Sequence, residues 1–230
     1  MIVIHGKSKA DAKVNGTLSF YRRDVFEPLM EHRDDPQAEF ERFTAARDTS
    51  ITELDELHRI AAEKAGEEAA GVFDIQKMMI EDGDFSDLVE GIIRSQQCSA
   101  EFAVKCASKT FSDLLRFSGS DYMSQRSEDI FFISDRLIRK LAGVEKRLGH
   151  YDKDVIVCAD TLSSSDILLM QSPFIVAICV KRDVEMSHCA LLAHGLGIPL
   201  ISDLGDKLDR HFEGMQATAD CTTGMLIIEN

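Results

Sequence analysis

Hydrophobic positions divide the chain into three stretches of different periodicity. The first stretch holds two short apolar or alternating runs, 2–4 and 17–22, which predict two strands. From about 36 to 143, apolar residues recur at the spacing of an amphipathic helix. After 154, short β-branched runs alternate with short helical patterns. The pattern therefore predicts a helical block flanked by α/β segments.

The helical block has clear start and stop signals. Asp35 followed by Pro36 is a typical N-cap with proline in the first turn, and the helix that it opens ends at Gly66. Four further helical patterns follow, and they are separated by short breaks. Because short breaks are typical of antiparallel neighbours, the block is expected to form a helical bundle.

The C-terminal stretch alternates strands and helices, which is typical of a layered α/β structure. The predicted elements are strands at 154–159, 174–180 and 200–202, helices at 163–170, 188–195 and 204–212, and a final hairpin at 216–229.

The two N-terminal strands have no sheet of their own, so we assign them to the C-terminal sheet. The expected fold class is therefore α/β, with an inserted all-helical bundle domain. The α/β domain would comprise 1–30 and 150–230, and the inserted domain 31–149.

Candidate chemistry lies around His188. The strand pattern 174–180 leads through a polar loop to Ser187, which stands at the N-cap of a short helix that stops at Gly195 and Gly197. His188 falls in the first helical turn, where unpaired N–H groups and the helix dipole favour a phosphate. Because a neutral imidazole is a nucleophile near pH 7, His188 is a candidate phosphoryl acceptor. The plainer alternative is a surface or cap-region histidine.

Charge and cysteine content restrict the classes of partner. The net charge of -14 argues against nucleic acid and anionic membranes, and it favours a cationic partner. No apolar run is long enough to span a membrane and the N-terminus lacks the apolar region of a signal peptide, so a cytoplasmic location is expected. The six cysteines lack CxxC pairing and indicate reduced, buried thiols. No metal site is expected, because the spacing of His188, Cys189 and His194 matches no zinc pattern.

Three motifs give the chain a family resemblance. They are V-F-D-I-Q-K-M-M-I-E-D at 72–82, Y-M-S-Q-R-S-E-D-I-F-F-I-S-D-R-L-I at 122–138, and E-M-S-H-C-A-L-L-A-H-G-L-G-I-P at 185–199. In order and spacing they resemble the N-terminal half of enzyme I, the phosphoenolpyruvate-protein phosphotransferase of the bacterial sugar phosphotransferase system. The third motif also occurs in pyruvate phosphate dikinase and phosphoenolpyruvate synthase. The helical block and the second motif favour enzyme I.

The resemblance implies a phosphohistidine-type α/β domain and an inserted helical domain that binds HPr, a small phosphocarrier protein. It implies that His188 takes phosphate from phosphoenolpyruvate and passes it to HPr. Ser187 is a candidate contact of the phosphate, and the alternative is that it only caps the helix. Arg126, in the second motif, would reach toward the phosphate or the partner, and the alternative is a solvated arginine in a salt bridge. The family binds phosphoenolpyruvate and Mg²⁺ in a C-terminal barrel that would follow Asn230. No cofactor is therefore expected in this chain, which alone should exchange phosphate with phospho-HPr but not use phosphoenolpyruvate.

The resemblance also implies a set of residues that bind the carrier protein. These are Glu67, Glu68, Gly71, Met78, Met79, Glu81 and Asp82. Methionines surrounded by carboxylates suit a cationic partner with a small apolar patch. The alternative is that the methionines belong to the core and the acids form a solvated face.

The loop before His188 departs from the family pattern. Glu185 and Met186 stand where the family has arginine and threonine, and Asp183 and Val184 replace its glycines. An acid beside a phosphoryl group repels it by roughly 1 kcal/mol when exposed. Three hypotheses therefore stay open: a phosphoryl-transfer domain, an interaction module that has lost transfer, and the phosphohistidine domain of a pyruvate phosphate dikinase-like enzyme.

Overall fold

The structure, a computed structural model, describes residues 1–21, 26–117, 121–144, 151–170, 172–184 and 187–229; within these ranges, the side chains of 116 and 121–128 are not described. The chain forms two compact units. The first unit comprises Met1–Arg23, Arg59–Ala70 and Arg147–Asn230, and the second comprises Asp24–His58 and Gly71–Lys146. The segment Arg59–Ala70 thus belongs to the first unit, although the sequence pattern places it in the helical block.

The first unit contains one seven-stranded sheet. Its strands are β1 (Ile2–His5), β2 (Lys13–Phe20), β3 (Val155–Ala159), β4 (Ile175–Val180), β5 (Leu200–Ile201), β6 (Gln216–Asp220) and β7 (Met225–Ile228). The spatial order is β1-β7-β6-β2-β3-β4-β5. The strands β2, β3, β4 and β5 are parallel, and β6 pairs antiparallel with β2 and β7. The N-terminal strands join the C-terminal sheet, so that prediction is confirmed.

The parallel part of the sheet positions the candidate site. All five residues of β3 are buried, as are all but one residue of β4. Such continuous apolar runs are typical of parallel strands covered on both faces. The strand β3 leads into α6 (Ser164–Leu169), and β4 leads into α7 (His188–Gly195). Because the carboxyl ends of parallel strands meet at one edge of a sheet, the loops before α6 and α7 lie at the same edge.

Five helices account for the predicted helical block. They are α1 (Pro36–Ala65), α2 (Glu67–Glu81), α3 (Gly83–Gln96), α4 (Ala100–Phe117) and α5 (Asp121–Ala142). In the second unit, the ring centroid of Phe85 lies 6.5 Å from the ring centroid of Phe43 and 5.5 Å from that of Phe111. The buried carboxylate of Glu39 accepts a hydrogen bond from the backbone N–H of Ala100 (2.8 Å), which fixes the start of α4.

Two predicted elements differ from the structure. The expected helix 204–212 is instead two 3₁₀ turns, because the side chain of Asp209 accepts a hydrogen bond from the His211 N–H (2.9 Å) and opens a new turn. The strand β2 begins at Lys13, before the alternating run, since its first residues pair with β6. Local periodicity carries no information about that long-range pairing. Among the described helices, none is long and apolar enough to cross a membrane.

Candidate functional site

The loop that leads from β4 to α7 is anchored to the rest of the first unit. The Lys181 N–H donates to the Ala159 carbonyl (3.0 Å), and the Asp203 N–H donates to the Arg182 carbonyl (3.0 Å). The Lys7 ammonium binds the carboxylate of Asp183 (2.6 Å) and that of Asp203 (3.0 Å). The hydrogen bond with Asp183, followed by that with Asp203, raises the pKa of Lys7.

Two residues of this loop, both close to His188 in the sequence, lie outside the described part of the chain. These are Glu185 and Met186, two of the four positions where the chain departs from the enzyme I motif. Their effect on a phosphoryl group therefore stays a prediction from the sequence.

Ser187 is the N-cap of α7, as predicted. Its backbone is extended (φ -88°, ψ 159°), and its Oγ accepts a hydrogen bond from the Ala190 N–H at 3.4 Å. The same hydroxyl donates to the Val184 carbonyl (2.7 Å). The helix ends at Gly195, as the two glycines of the sequence indicate. Gly197 follows it with φ +69°, and the Ile198 N–H donates to the Ala193 carbonyl (2.9 Å).

His188 is the first residue of α7 and its side chain is half-buried. The ring atom Nδ1 is buried. A reactant that approaches the exposed part of the ring therefore does not meet Nδ1.

The residue after His188 ties α7 to the start of α6. The Cys189 thiol donates to the Leu162 carbonyl (3.1 Å), and its sulfur lies 3.7 Å from the Ser164 hydroxyl. These contacts hold the first turn of α7, which carries His188.

The start of α6 is in turn held by a buried carboxylate that the sequence reasoning missed. Asp166 is fully buried and accepts hydrogen bonds from the Ser163 hydroxyl (2.6 Å), the Ser163 N–H (2.8 Å) and the Tyr21 hydroxyl (2.9 Å). Ser163 and Asp166 form a capping box. The signal was present in the sequence as Ser-x-x-Asp before an apolar run, but the contact with Tyr21 was not.

The C-terminal end of α7 packs against the end of α1 within the first unit. A Cβ atom at Gly195 would lie 2.5 Å from the Cβ of Ala65 and 2.7 Å from its carbonyl oxygen. Only glycine permits this close approach. The first turn of α7 and its C-terminal end are therefore both in contact with distant segments.

Arg126, the third residue that the resemblance places near the phosphate, lies on α5. Its side chain lies outside the described part of the structure. Its proximity to a phosphate therefore stays a prediction.

The expected carrier-binding residues lie on α2 and just after it. Met78 is 71% exposed, and Glu67, Glu68, Glu81 and Asp82 are exposed, whereas Gly71 and Met79 are half-buried. The helix spacing places Glu67, Gly71, Asp74, Met78 and Glu81 on one face. We call this face the α2 stripe. The alternative that Met78 belongs to the core is wrong.

Asp82 also has a structural role at the start of α3. Its carboxylate accepts hydrogen bonds from the Asp84 N–H (2.8 Å) and the Phe85 N–H (3.3 Å), and so caps α3. Substitution of Asp82 would therefore disturb α3 as well as any partner surface.

The cysteines are all free thiols, and four of the six are buried: Cys98, Cys158, Cys179 and Cys221. Burial raises the pKa of the Cys221 thiol to about 11. In the part of the chain that the structure describes, no three His, Cys, Asp or Glu side chains are grouped so that they could hold a metal ion.

Two family profiles match the chain. The profile described as "PEP-utilising enzyme, N-terminal" matches 14–126, and that described as "PEP-utilising enzyme, mobile domain" matches 151–224.

Curated relatives carry the name phosphoenolpyruvate-protein phosphotransferase. The protein of Latilactobacillus sakei is 31% identical over 196 residues, which cover 84% of this chain and 33% of the relative. That of Lactococcus lactis subsp. lactis is 29% identical over 224 residues, covering 96% of this chain and 38% of the relative. The chain thus spans about a third of the length of these relatives.

Solved structures share the fold. A solution structure of an enzyme I protein matches with a TM-score of 0.74 at 22% identity, covering 98% of this chain and 92% of the other. The N-terminal domain of the nitrogen Enzyme 1 matches with a TM-score of 0.65 at 21% identity, covering 98% and 93%. The expected fold class and the likeness to the N-terminal half of enzyme I are confirmed.

Proposed function

Because the chain belongs to the PEP-utilising enzymes, with their N-terminal and mobile domains at 14–126 and 151–224, we propose that it is the phosphoryl-carrying part of a phosphoenolpyruvate-protein phosphotransferase. In this role it receives a phosphoryl group on one histidine and exchanges it with an HPr-like carrier protein. The names of the curated relatives support this assignment.

His188 is the proposed acceptor, and its place in the first turn of α7 carries the proposal. The Nε2 lone pair attacks the phosphorus of the carrier's phosphohistidine, and the carrier's ring nitrogen leaves with the electrons of the broken P–N bond. The N–H groups at the start of α7 then face the phosphoryl oxygens. Since one P–N bond replaces another, the transfer is reversible.

Ser187 contributes to this arrangement through the cap and, in the proposal, through a contact with the phosphoryl group. Its hydroxyl already joins Val184 to the first turn of α7. Arg126 is the proposed second contact.

The α2 stripe, with Glu68, Met79 and Asp82 beside it, is the proposed binding surface for the carrier. It combines an exposed thioether with carboxylates, which suits a cationic partner with a small apolar patch. The net charge of -14 would also accelerate the encounter with such a partner.

The proposal places the reaction in the cytoplasm, which the six free thiols support. It assigns no metal or cofactor to this chain. In the family, phosphoenolpyruvate and Mg²⁺ act in the C-terminal barrel, so competence with phosphoenolpyruvate is not proposed for these residues alone.

The alternative is an interaction module that has kept the fold and lost transfer. Glu185 and Met186, which replace the arginine and threonine of the family motif, favour this alternative. Labelling of the chain by phospho-HPr separates the two functions.

The experiment incubates the chain with ³²P-labelled phospho-HPr and measures acid-labile, base-stable phosphate on the chain. We expect label on the unchanged chain and on His32→Ala, an exposed histidine of the second unit, and none on His188→Ala. An unlabelled wild-type chain would favour the interaction module. Equal labelling of His188→Ala would show that another residue is the acceptor.

A further inference from the structure

A cavity of about 180 Å³ lies in the first unit between α7, β5 and the segment 7–10. One wall is apolar and includes Leu191, Ile198 and Leu200. The polar lining residues include Lys7, Lys9 and Ser202. His188 is not among the lining residues, so the cavity is separate from the candidate phosphoryl site.

Ser202 lines the cavity, and its side chain forms no hydrogen bond within the described part of the chain. The residue is 1% exposed, and its Oγ is buried without a hydrogen-bond partner in the described part of the chain. Its backbone groups are paired: its carbonyl accepts a hydrogen bond from the Lys7 N–H (2.7 Å), and its N–H donates to the Lys7 carbonyl (2.8 Å). A buried hydroxyl without a partner is unfavourable, and a polar atom of a ligand would offset that cost.

The charged residues that line the cavity are Lys7, whose ammonium is paired with Asp183 and Asp203, and Lys9. The described lining residues include Lys7 and Lys9 and no carboxylate. The Lys7 ammonium has three N–H donors, and its two ion-pair partners, Asp183 and Asp203, leave one for a ligand. An anionic oxygen acceptor therefore suits the polar end of the cavity better than a cation.

We propose that this cavity binds a small carboxylate with a short branched apolar tail. The carboxylate accepts hydrogen bonds from the Ser202 hydroxyl and a lysine ammonium, and the tail packs against Leu191, Ile198 and Leu200. An apolar cavity of about 150 Å³ holds benzene, so this cavity has room for roughly seven non-hydrogen atoms. The proposal does not depend on the chemistry of His188.

Such a ligand would also contact the helix that carries His188. Leu191 and His194, which line the cavity, lie on α7, and Lys7 binds Asp183 in the loop before Ser187. Binding would therefore stabilise the present position of α7.

The test uses three matched ligands of similar shape: isovalerate, isovaleramide and isopentylamine. Each is titrated into the ¹⁵N-labelled chain, and amide shifts are followed at Ala190, Leu191, His194 and Leu200. We expect saturable shifts with isovalerate and affinity at least tenfold lower for the amide and the amine. Equal affinity for the three ligands, or no saturable shift with isovalerate, would overturn the proposal.

The variant Ser202→Ala tests the role of the hydroxyl. We expect at least fivefold weaker isovalerate binding and an unchanged or higher melting temperature, because the change removes a buried hydroxyl that lacks a partner. Unchanged isovalerate affinity, or a clearly lower melting temperature, would contradict the assignment. If Ser202→Ala does not fold, Ala190→Leu decides instead: it fills the cavity, and isovalerate shifts that persist in it would overturn the proposal.

Discussion

The first turn of α7 is held by residues far apart in the sequence, whereas the α2 stripe is specified by the sequence of α2 alone. The loop before α7 is tied to Lys7, its first turn to Leu162, and its end to Ala65. The stripe needs only the helical spacing of exposed residues on one element. The proposed chemistry should therefore respond to distant substitutions, and the proposed docking only to local ones.

The largest effect of a distant substitution is expected at Asp166. Asp166→Asn replaces a carboxyl oxygen that accepts hydrogen bonds from Ser163 or Tyr21 with an NH₂ group, which cannot accept them. We expect a loss of about 2–4 kcal/mol in the free energy of unfolding, because each buried donor that loses its acceptor costs about 1–3 kcal/mol. Urea denaturation monitored by circular dichroism measures this loss.

Asp160→Asn is the matched control for this substitution. Asp160 is exposed, and its ion pair with Lys181 (2.9 Å) is near the surface. Such pairs contribute about 0–1 kcal/mol to the free energy of unfolding, so the stability of this variant should stay close to that of the wild type. A similar loss in both variants would refute the assignment of Asp166 as the anchor of α6.

The next effect concerns the α2 stripe. Met78→Glu places a charge at the centre of the proposed apolar contact, and hot-spot residues contribute about 2 kcal/mol or more to binding. We expect roughly 30-fold slower phosphoryl transfer from phospho-HPr at subsaturating concentration. Labelling by phosphoramidate, a small donor that needs no docking surface, should be unchanged.

Met30→Glu is the control, because Met30 is 57% exposed and lies outside the stripe. It should leave both reactions unchanged. If Met78→Glu slows labelling by both donors, the residue acts on His188 and not on docking. If it slows neither, α2 is not the docking surface.

The same contrast explains what could be predicted from the sequence. Helical spacing, the Asp35–Pro36 start and the stop at Gly66 predict the five helices of the block. The position of His188 after Ser187 was also predictable, because capping is a local interaction. These features depend on residues a few positions apart.

What could not be predicted depends on long-range contacts. The hydrogen bond from Tyr21 to Asp166 joins segments 145 positions apart, and the bridge between Lys7 and Ser202 has no local signal. The burial of Nδ1 of His188 likewise has no signal in the sequence. The assignment of Arg59–Ala70 to the first unit is a further case, since a continuous helix pattern does not show which core its end contacts.

A smaller effect is expected at the cap of α7. Ser187→Ala removes the side-chain acceptor of the Ala190 N–H, which also donates to the Ser187 carbonyl (3.1 Å), and loss of an N-cap typically destabilises a helix by about 1 kcal/mol. We expect roughly fivefold faster hydrogen exchange of the Ala190 amide and slower labelling of His188. Ser187→Asn keeps a capping oxygen and should restore most of the protection. Equal exchange in the two variants would mean that the cap does not hold the first turn.

The smallest effect is expected at Gly71, and it tests whether the carrier protein packs closely against the backbone of the α2 stripe. A Cβ atom at Gly71 would meet nothing within 4 Å, and the same holds for Gly91 on α3. Because alanine is the better helix former, Gly71→Ala and Gly91→Ala should each stabilise the chain by about 0.5–1 kcal/mol. If the carrier packs closely against the stripe, only Gly71→Ala should slow transfer from phospho-HPr, by a few fold, while the melting temperature rises in both. A more stable Gly71→Ala chain with unchanged transfer would show that the carrier does not approach the backbone of α2 at this position.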